Sequence, residues 1–312
     1  MTYDDEEKVF HFRIWGRKGR IWKEKAFLAE LKEKFSEYEY RQIARLRKAY
    51  LIREMLPFHK HRIWMISDKM NRGDDNGEAF FRFMNSTRNT RKRVKSYYLM
   101  DKNCSDYLRI KKIGKVVQFN SFRHKLLSLI CEYHFTAYAN DAVTKPLLKY
   151  NDCFKDIMRR EWIVFLQHGP TQNNVSSALN KYNQNFKAIV TINEEERNSF
   201  LKYNYFYRKE QIILTGFPRY DYLKNADKKF ITIAPTWRRK LFGQFIHQEE
   251  RYILKEGFKE SDYYKFYAGI INSSVLRGAI KEKGYELHFI PHPVFFPYIN
   301  EFDFGSNVVI HH

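Results

Sequence analysis

The sequence predicts an α/β protein built on mostly parallel sheet, with two successive sets of strands. From residue 62 onward, short apolar runs alternate with stretches of helical periodicity, the pattern of βαβ units. Several of these runs stop at a polar residue beside glycine or proline, where open sheets place their ligands. A second start occurs at Lys229. The expected organisation is therefore a basic helical segment over 1–60, a first α/β domain over 61–225 and a second over 226–312.

The N-terminal stretch 16–56 is rich in Lys, Arg, Glu, Leu and aromatics, and Pro57 closes it. Phe27, Leu28, Leu31 and Phe35 recur at helical spacing, as do Ile43, Leu46, Tyr50 and Leu51, which predicts one or two amphipathic helices. The patch Arg17–Lys23 mixes cations with Trp22. It suits either the interface of an anionic membrane or a solvated basic face packed on the body of the protein. Residues 62–67, 94–100, 115–119, 162–167, 187–192 and 211–215 read as strands of the first set. Residues 78–85, 121–132 and 194–203 read as helices, with Leu126, Leu127 and Ile130 turned inward, and 74–77 as a turn. In the second set, 230–234, 286–290 and 307–310 read as strands and 262–283 as a single helix. Two or three parallel strands are few for this class, so the second domain is expected to be incomplete.

Composition narrows the partners. The chain has 312 residues with 44% hydrophobic content, enough for one large core or two smaller ones. Its 56 Lys and Arg against 36 Asp and Glu leave a formal charge of +20, which calls for an anionic partner. Cys104, Cys131 and Cys153 offer neither a disulfide framework nor a CxxC metal site, which fits a reducing cytosolic compartment. No signal peptide is evident, and no apolar run approaches the ~20 residues of a spanning helix. Patterns for a dinucleotide fold, a P-loop, a zincin and a serine hydrolase are all absent.

Chemistry is expected at the strand ends. The run 162–166 stops at His168-Gly169-Pro170, and 230–234 at Pro235-Thr236-Trp237-Arg238. The run 286–290 stops at Pro291-His292-Pro293, and Gly216-Phe217-Pro218-Arg219 follows 211–215. Two histidines and two arginines around one cleft suit a doubly charged phosphate: arginine binds it in a fork, and histidine gives or takes a proton. Each residue also has a plainer role open to it. His168 serves equally as a turn residue, Arg219 and Arg238 as surface ion pairs, and the prolines as loop stiffeners. The terminal pair His311-His312 makes a poor metal-ligand set.

Five segments, taken in order, resemble the CDP-glycerol glycerophosphotransferase family, which makes teichoic acids and related capsule polymers. They are residues 66–82 with Asp75-Asn76-Gly77; Phe165-Leu166-Gln167-His168-Gly169 with the tail 176–180; residues 215–221 with Gly216-Phe217-Pro218-Arg219; Ala234-Pro235-Thr236-Trp237-Arg238; and Phe289-Ile290-Pro291-His292-Pro293. The resemblance runs from about residue 62 to residue 300. It implies a GT-B-like fold of two Rossmann-type domains, the first on the acceptor side and the second, partial, on the donor side. It implies transfer of a polyol phosphate from CDP-glycerol or a related CDP-polyol to a lipid-linked acceptor, with release of CMP. His168 would be the base on the acceptor hydroxyl, and His292 would assist the leaving group. Thr236 and Arg238 would position the donor pyrophosphate, and Arg219 would neutralise charge. Asp75, Asn76 and Gly169 would complete substrate binding. No cofactor or metal is implied. The location would be the cytoplasmic face of the membrane, held at its anionic surface. The family's Asp-Tyr-Ser-Ser segment does not follow before residue 312, so transfer by these residues alone is expected to be impaired.

Two other functions fit the composition. A non-catalytic module binding anionic polymer, membrane or nucleic acid would use the +20 charge alone. Nucleic acid is disfavoured, because the aromatics fall within strand and helix patterns rather than on an exposed stacking surface. A different GT-B enzyme with a nucleotide-sugar donor would share the fold.

Overall fold

A computed structural model describes residues 2–4, 9–11, 17–55, 62–86, 94–158, 162–224, 228–246, 251–305 and 307–311. The chain divides into two compact units, Met1–Leu223 and Lys224–His312.

The first unit is organised by a seven-stranded sheet. Its strands are β1 (Arg62–Ser67), β2 (Val94–Met100), β3 (Val116–Gln118), β4 (Tyr133–Thr136), β5 (Ile163–Phe165), β6 (Ala188–Thr191) and β7 (Ile212–Leu214). They lie in the order β3-β2-β1-β4-β5-β6-β7, and every pairing is parallel. This is the order of a doubly wound sheet, and its direction reverses between β1 and β4. All carboxyl ends lie along one edge, so the loops after β1, β4, β5 and β7 come together there.

Helices cover both faces, as a parallel sheet requires. The main ones are α3 (Asn76–Ser86), α4 (Tyr107–Lys111), α5 (Phe122–Ile130) and α6 (Glu194–Lys202). On one face, Met65, Leu99, Leu127, Phe165, Phe186 and Ile189 form a continuous core; on the other, Ile66, Phe81, Tyr98 and Met100 do so.

Several features depart from the sequence expectations. Strand β4 lies at the centre of the sheet yet is not anticipated. Its run Tyr133-His134-Phe135-Thr136 carries a histidine and a threonine in fully buried positions. Ser67 Oγ lies 2.9 Å from both His134 Nε2 and Thr136 Oγ1, while His134 Nδ1 is buried without a hydrogen-bond partner among the described residues. Helix α3 begins at Asn76, inside the segment expected to be a turn. In α5, Leu126, Leu127 and Ile130 do face inward, but toward two clusters: Leu127 is buried in one, Leu126 packs on the other and Ile130 on both. Finally, 262–283 is broken in two, as described below.

The N-terminal residues form two helices, α1 (Arg17–Lys34) and α2 (Glu37–Met55). Leu28, Leu31, Ile43 and Leu46 pack on Leu129, Leu147 and Phe154 of the sheet unit. A buried arginine fastens this contact. Arg47 pairs with Glu24 of α1 at 2.6 Å and with Asp156 at 2.7 Å, and its guanidinium lies 4.5 Å from the Phe27 ring centre. The helices are thus part of the first unit. Of the basic patch, the side chains of residues 17–22 lie outside the described residues.

The second unit holds a three-stranded parallel sheet in the order β8-β11-β12: β8 (Phe230–Ile233), β11 (Glu286–Phe289) and β12 (Val309–Ile310). An antiparallel pair, β9 (Phe242–Ile246) with β10 (Arg251–Leu254), was not foreseen. The expected single helix is instead α7 (Asp262–Ile271) and α8 (Ser274–Lys283). The Ser273 hydroxyl accepts the Leu276 N–H and caps α8, so a local side-chain bond competes with helix continuation at Asn272-Ser273. Aromatic residues Phe258, Phe289, Phe295, Phe302 and Phe304 fill the core.

Candidate functional site

The site in the first unit is assembled by backbone constraints that the sequence imposes at the ends of β1 and β5. After β1, the Asp68 carboxylate is buried and accepts the N–H groups of Gly77 and Glu78 at 2.7 and 2.8 Å, and the Tyr98 hydroxyl at 2.6 Å. It thereby caps α3 from outside the helix. Burial pushes this carboxyl up to about 6. Gly77 is required by close approach: a Cβ there would stand 2.4 Å from the Ser67 carbonyl oxygen and 2.5 Å from Asp68 Oδ1. Glu78 is also buried. It accepts the Asp74 N–H and pairs with Arg82 and Arg109, and these partners hold its carboxyl below the usual range against the penalty of burial.

After β5, Gln167 adopts φ +59°, in the left-handed region. Its side chain holds it there. Nε2 donates to the Val190 carbonyl at 2.6 Å and to Glu196 Oε1 at 3.1 Å, and Oε1 accepts from the Thr171 hydroxyl at 2.6 Å. Glu196 also accepts the Thr171 and Ile192 N–H groups. The turn is therefore clamped on both sides of His168.

Asn76, fully buried, joins this turn to the loop after β7. Its Nδ2 donates to the Gln167 carbonyl at 2.7 Å, and its Oδ1 accepts the Arg219 N–H at 3.2 Å. Arg219 Nη1 donates to Asp75 at 2.6 Å and to the His168 carbonyl at 2.9 Å. The pair Asp75-Asn76, His168 and Arg219, far apart in sequence, are thus one bonded group. Within it Asn76 has both ends of its amide spent on backbone and acts by positioning.

His168 itself is exposed, and its ring meets the edge of Tyr138 at 5.7 Å between centroids. Gly169 leaves open space beside it, since a Cβ there would meet nothing within 4 Å. Lys69 and Tyr138 escaped the sequence reading. They follow β1 and β4, the strands flanking the reversal of sheet order, and the Lys69 ammonium sits 5.0 Å from the Tyr138 ring centre. Among the described residues no carboxylate pairs with Lys69. The signal that could have found them is positional: each stands two residues beyond the end of one of two adjacent strands, and without β4 that adjacency is invisible.

In the second unit, Thr236 and Arg238 are exposed on the loop after β8, and Arg238 Nη1 lies 3.3 Å from the carbonyls of Thr236 and Trp237. Trp237 stacks with His292 at 5.9 Å. His292 Nδ1 accepts the Val294 N–H at 3.2 Å, so the neutral ring carries its proton on Nε2. Burial lowers its pKa, which favours that neutral form. Thr236, Arg238 and His292 therefore gather on adjacent loops of one sheet.

Residues 48–310 match the CDP-Glycerol:Poly(glycerophosphate) glycerophosphotransferase family. The chain belongs to this family. It is 36% identical over 291 residues to the minor teichoic acid biosynthesis protein GgaB of Bacillus subtilis (strain 168). That match covers 92% of this chain and 32% of GgaB, so the chain spans about a third of the relative's length. Two structures of the wall teichoic acid polymerase TagF are similar at TM-score 0.49. One is 13% identical; the other, with CDPG, is 14% identical, and each match covers 88% of this chain and 70% of the polymerase chain. All five segments that prompted the family expectation fall inside the matched residues.

Proposed function

We propose that this glycerophosphotransferase-family chain transfers glycerol phosphate, or another polyol phosphate, from a CDP-polyol to a hydroxyl of a lipid-linked polyol-phosphate acceptor in teichoic acid synthesis. The observation that carries this reading is His168: an exposed imidazole on a turn whose backbone is fixed by Gln167, Asn76 and Arg219, with open space over Gly169.

In the reaction, a ring nitrogen of His168 takes the acceptor's hydroxyl proton as the new O–P bond forms. The bond from that phosphorus to the CMP oxygen breaks, and CMP leaves with the electron pair. Nε2–H of His292 donates to the donor's phosphate oxygens, Arg238 and Thr236 hold the pyrophosphate, and Arg219 offsets charge on the acceptor side. Asp75 and Gly169 border the acceptor, and Asn76 holds the loops that carry them. The excess of basic residues suits an anionic polymer and an anionic membrane surface, and it supports a location at the inner face of the membrane. No described helix is long and apolar enough to cross a membrane.

The test is donor turnover. With a glycerol-phosphate-primed acceptor, CDP-glycerol or CDP-ribitol should yield CMP and an acceptor longer by one unit, and UDP-sugars should not turn over. Turnover of a UDP-sugar with no CMP from either CDP-polyol would contradict the proposal.

A further inference from the structure

A cleft of about 520 Å³ lies in the first unit between the first turns of α3 and the 3₁₀ segment Pro218–Tyr222. The roles derived above leave most of its wall unused. Asp75 and Arg82, seven residues apart, line it together with the exposed Asp74, and Arg219, Tyr220 and Tyr222 line it from the 3₁₀ segment. Much of this surface has hydrogen-bonding capacity to spare. Arg219 spends only Nη1, on Asp75 and the His168 carbonyl. Arg82 spends Nε and Nη2 on Glu78 and keeps Nη1. The Asp74 carboxylate has no partner among the described residues, and Tyr220 and Tyr222 are 40% and 50% exposed.

The chemistry of the wall defines its ligand. Acceptors and donors alternate beside aromatic faces, the pattern that recognises a hydroxyl-bearing carbon chain. The carboxylates of Asp74, Asp75 and Glu78 outnumber the guanidinium groups of Arg82 and Arg219. With Glu78 already paired to Arg82 and Arg109, and Asp75 to Arg219, few cationic donors are unspent, so a doubly charged pyrophosphate is poorly matched there, whereas a unit with hydroxyls and one phosphodiester can pair its single charge with a guanidinium. The Arg219 bond to the His168 carbonyl puts the cleft next to the turn that carries the proposed base.

We propose that this cleft is a second acceptor subsite, gripping a hydroxylated phosphodiester unit of the acceptor chain behind its reacting end. The assignment of the ligand as acceptor rests on the transfer function proposed above. It makes recognition dependent on acceptor length.

Calorimetric titration of the protein with synthetic glycerol phosphate of one and of three units, and separately with CDP-glycerol, tests this. The three-unit compound should bind about tenfold tighter than the one-unit compound, equivalent to ~1.4 kcal/mol. Asp74→Asn and Tyr222→Ala should each remove most of that advantage and leave CDP-glycerol affinity within twofold. Tyr222→Phe, which keeps the ring, should retain it. Unfolding curves of each variant confirm the fold. The proposal is overturned if the wild type shows no length preference, if both substitutions leave the preference intact, or if they weaken CDP-glycerol instead. Length-dependent binding without CMP release would uphold the subsite and contradict the transfer function; CMP release without length dependence would do the reverse.

Discussion

At the scale of single residues, the turn at His168 depends on neighbours that do no chemistry. Gly77 is the sharpest case, since any Cβ there collides with the Ser67 carbonyl and with Asp68. Gly77→Ala should destabilise the first unit by about 2–3 kcal/mol, read from the urea midpoint at unchanged slope. Lys69 makes a different kind of prediction. Its ammonium is held on Tyr138 beside His168 with no carboxylate partner among the described residues, a placement suited to an acceptor phosphate. Lys69→Ala should lower kcat/KM for the acceptor about tenfold and flatten its salt dependence, while Lys69→Arg keeps most of the rate. His168, Arg219, Arg238 and His292 were legible in the sequence because each ends an apolar run. Gln167, Glu196, Lys69 and Tyr138 were not. A left-handed glutamine locked by a distant glutamate leaves no local pattern, and Lys69 and Tyr138 meet only through the pairing of β1 with β4.

At the scale of elements, most strands of the first sheet were legible because parallel strands buried on both faces read as apolar runs. Strand β4 was not, since burial of His134 and Thr136 is made possible by Ser67 on the neighbouring strand, a partner the local sequence does not reveal. Those buried groups also set a pH response. Burial lowers the pKa of His124 to about 4 and of His134 to about 3, so both are neutral in the fold and charge on unfolding below their ordinary value. Their contribution is present above pH 6.5 and is lost as pH falls toward those folded values. Asp68, raised to about 6, works in the opposite direction, because the folded state holds its proton more tightly. Two histidines against one carboxyl leave a net loss between pH 6 and pH 4 of roughly 1.4 kcal/mol per pH unit. Urea midpoints across that range should fall with pH, and His134→Asn should lessen the fall. The N-terminal helices offer a separate test. Arg47→Met leaves the carboxylate of Glu24 buried without its cation. It should cost about 3 kcal/mol and loosen α1 and α2 in hydrogen exchange before the sheet opens.

At the scale of the whole molecule, the division into two α/β sheets followed from the second start at Lys229, and the compact units meet at Leu223 and Lys224. The break between α7 and α8 was hidden because Ser273 is an ordinary polar residue until it caps a helix. Charge was informative in sign and silent in detail: an excess of +20 points to an anion, but it is the loops after β5 and β7 in one unit, and after β8 and β11 in the other, that carry the histidines and arginines suited to phosphate. In the proposed transfer, proton removal belongs to the first unit and the CDP-polyol to the second. The most direct test measures both in a single variant, His168→Ala, by CMP release and by calorimetric binding of CDP-glycerol. CMP release should fall a hundredfold or more while CDP-glycerol affinity stays unchanged. Release at near wild-type rate, in a variant that folds and binds donor normally, would contradict it.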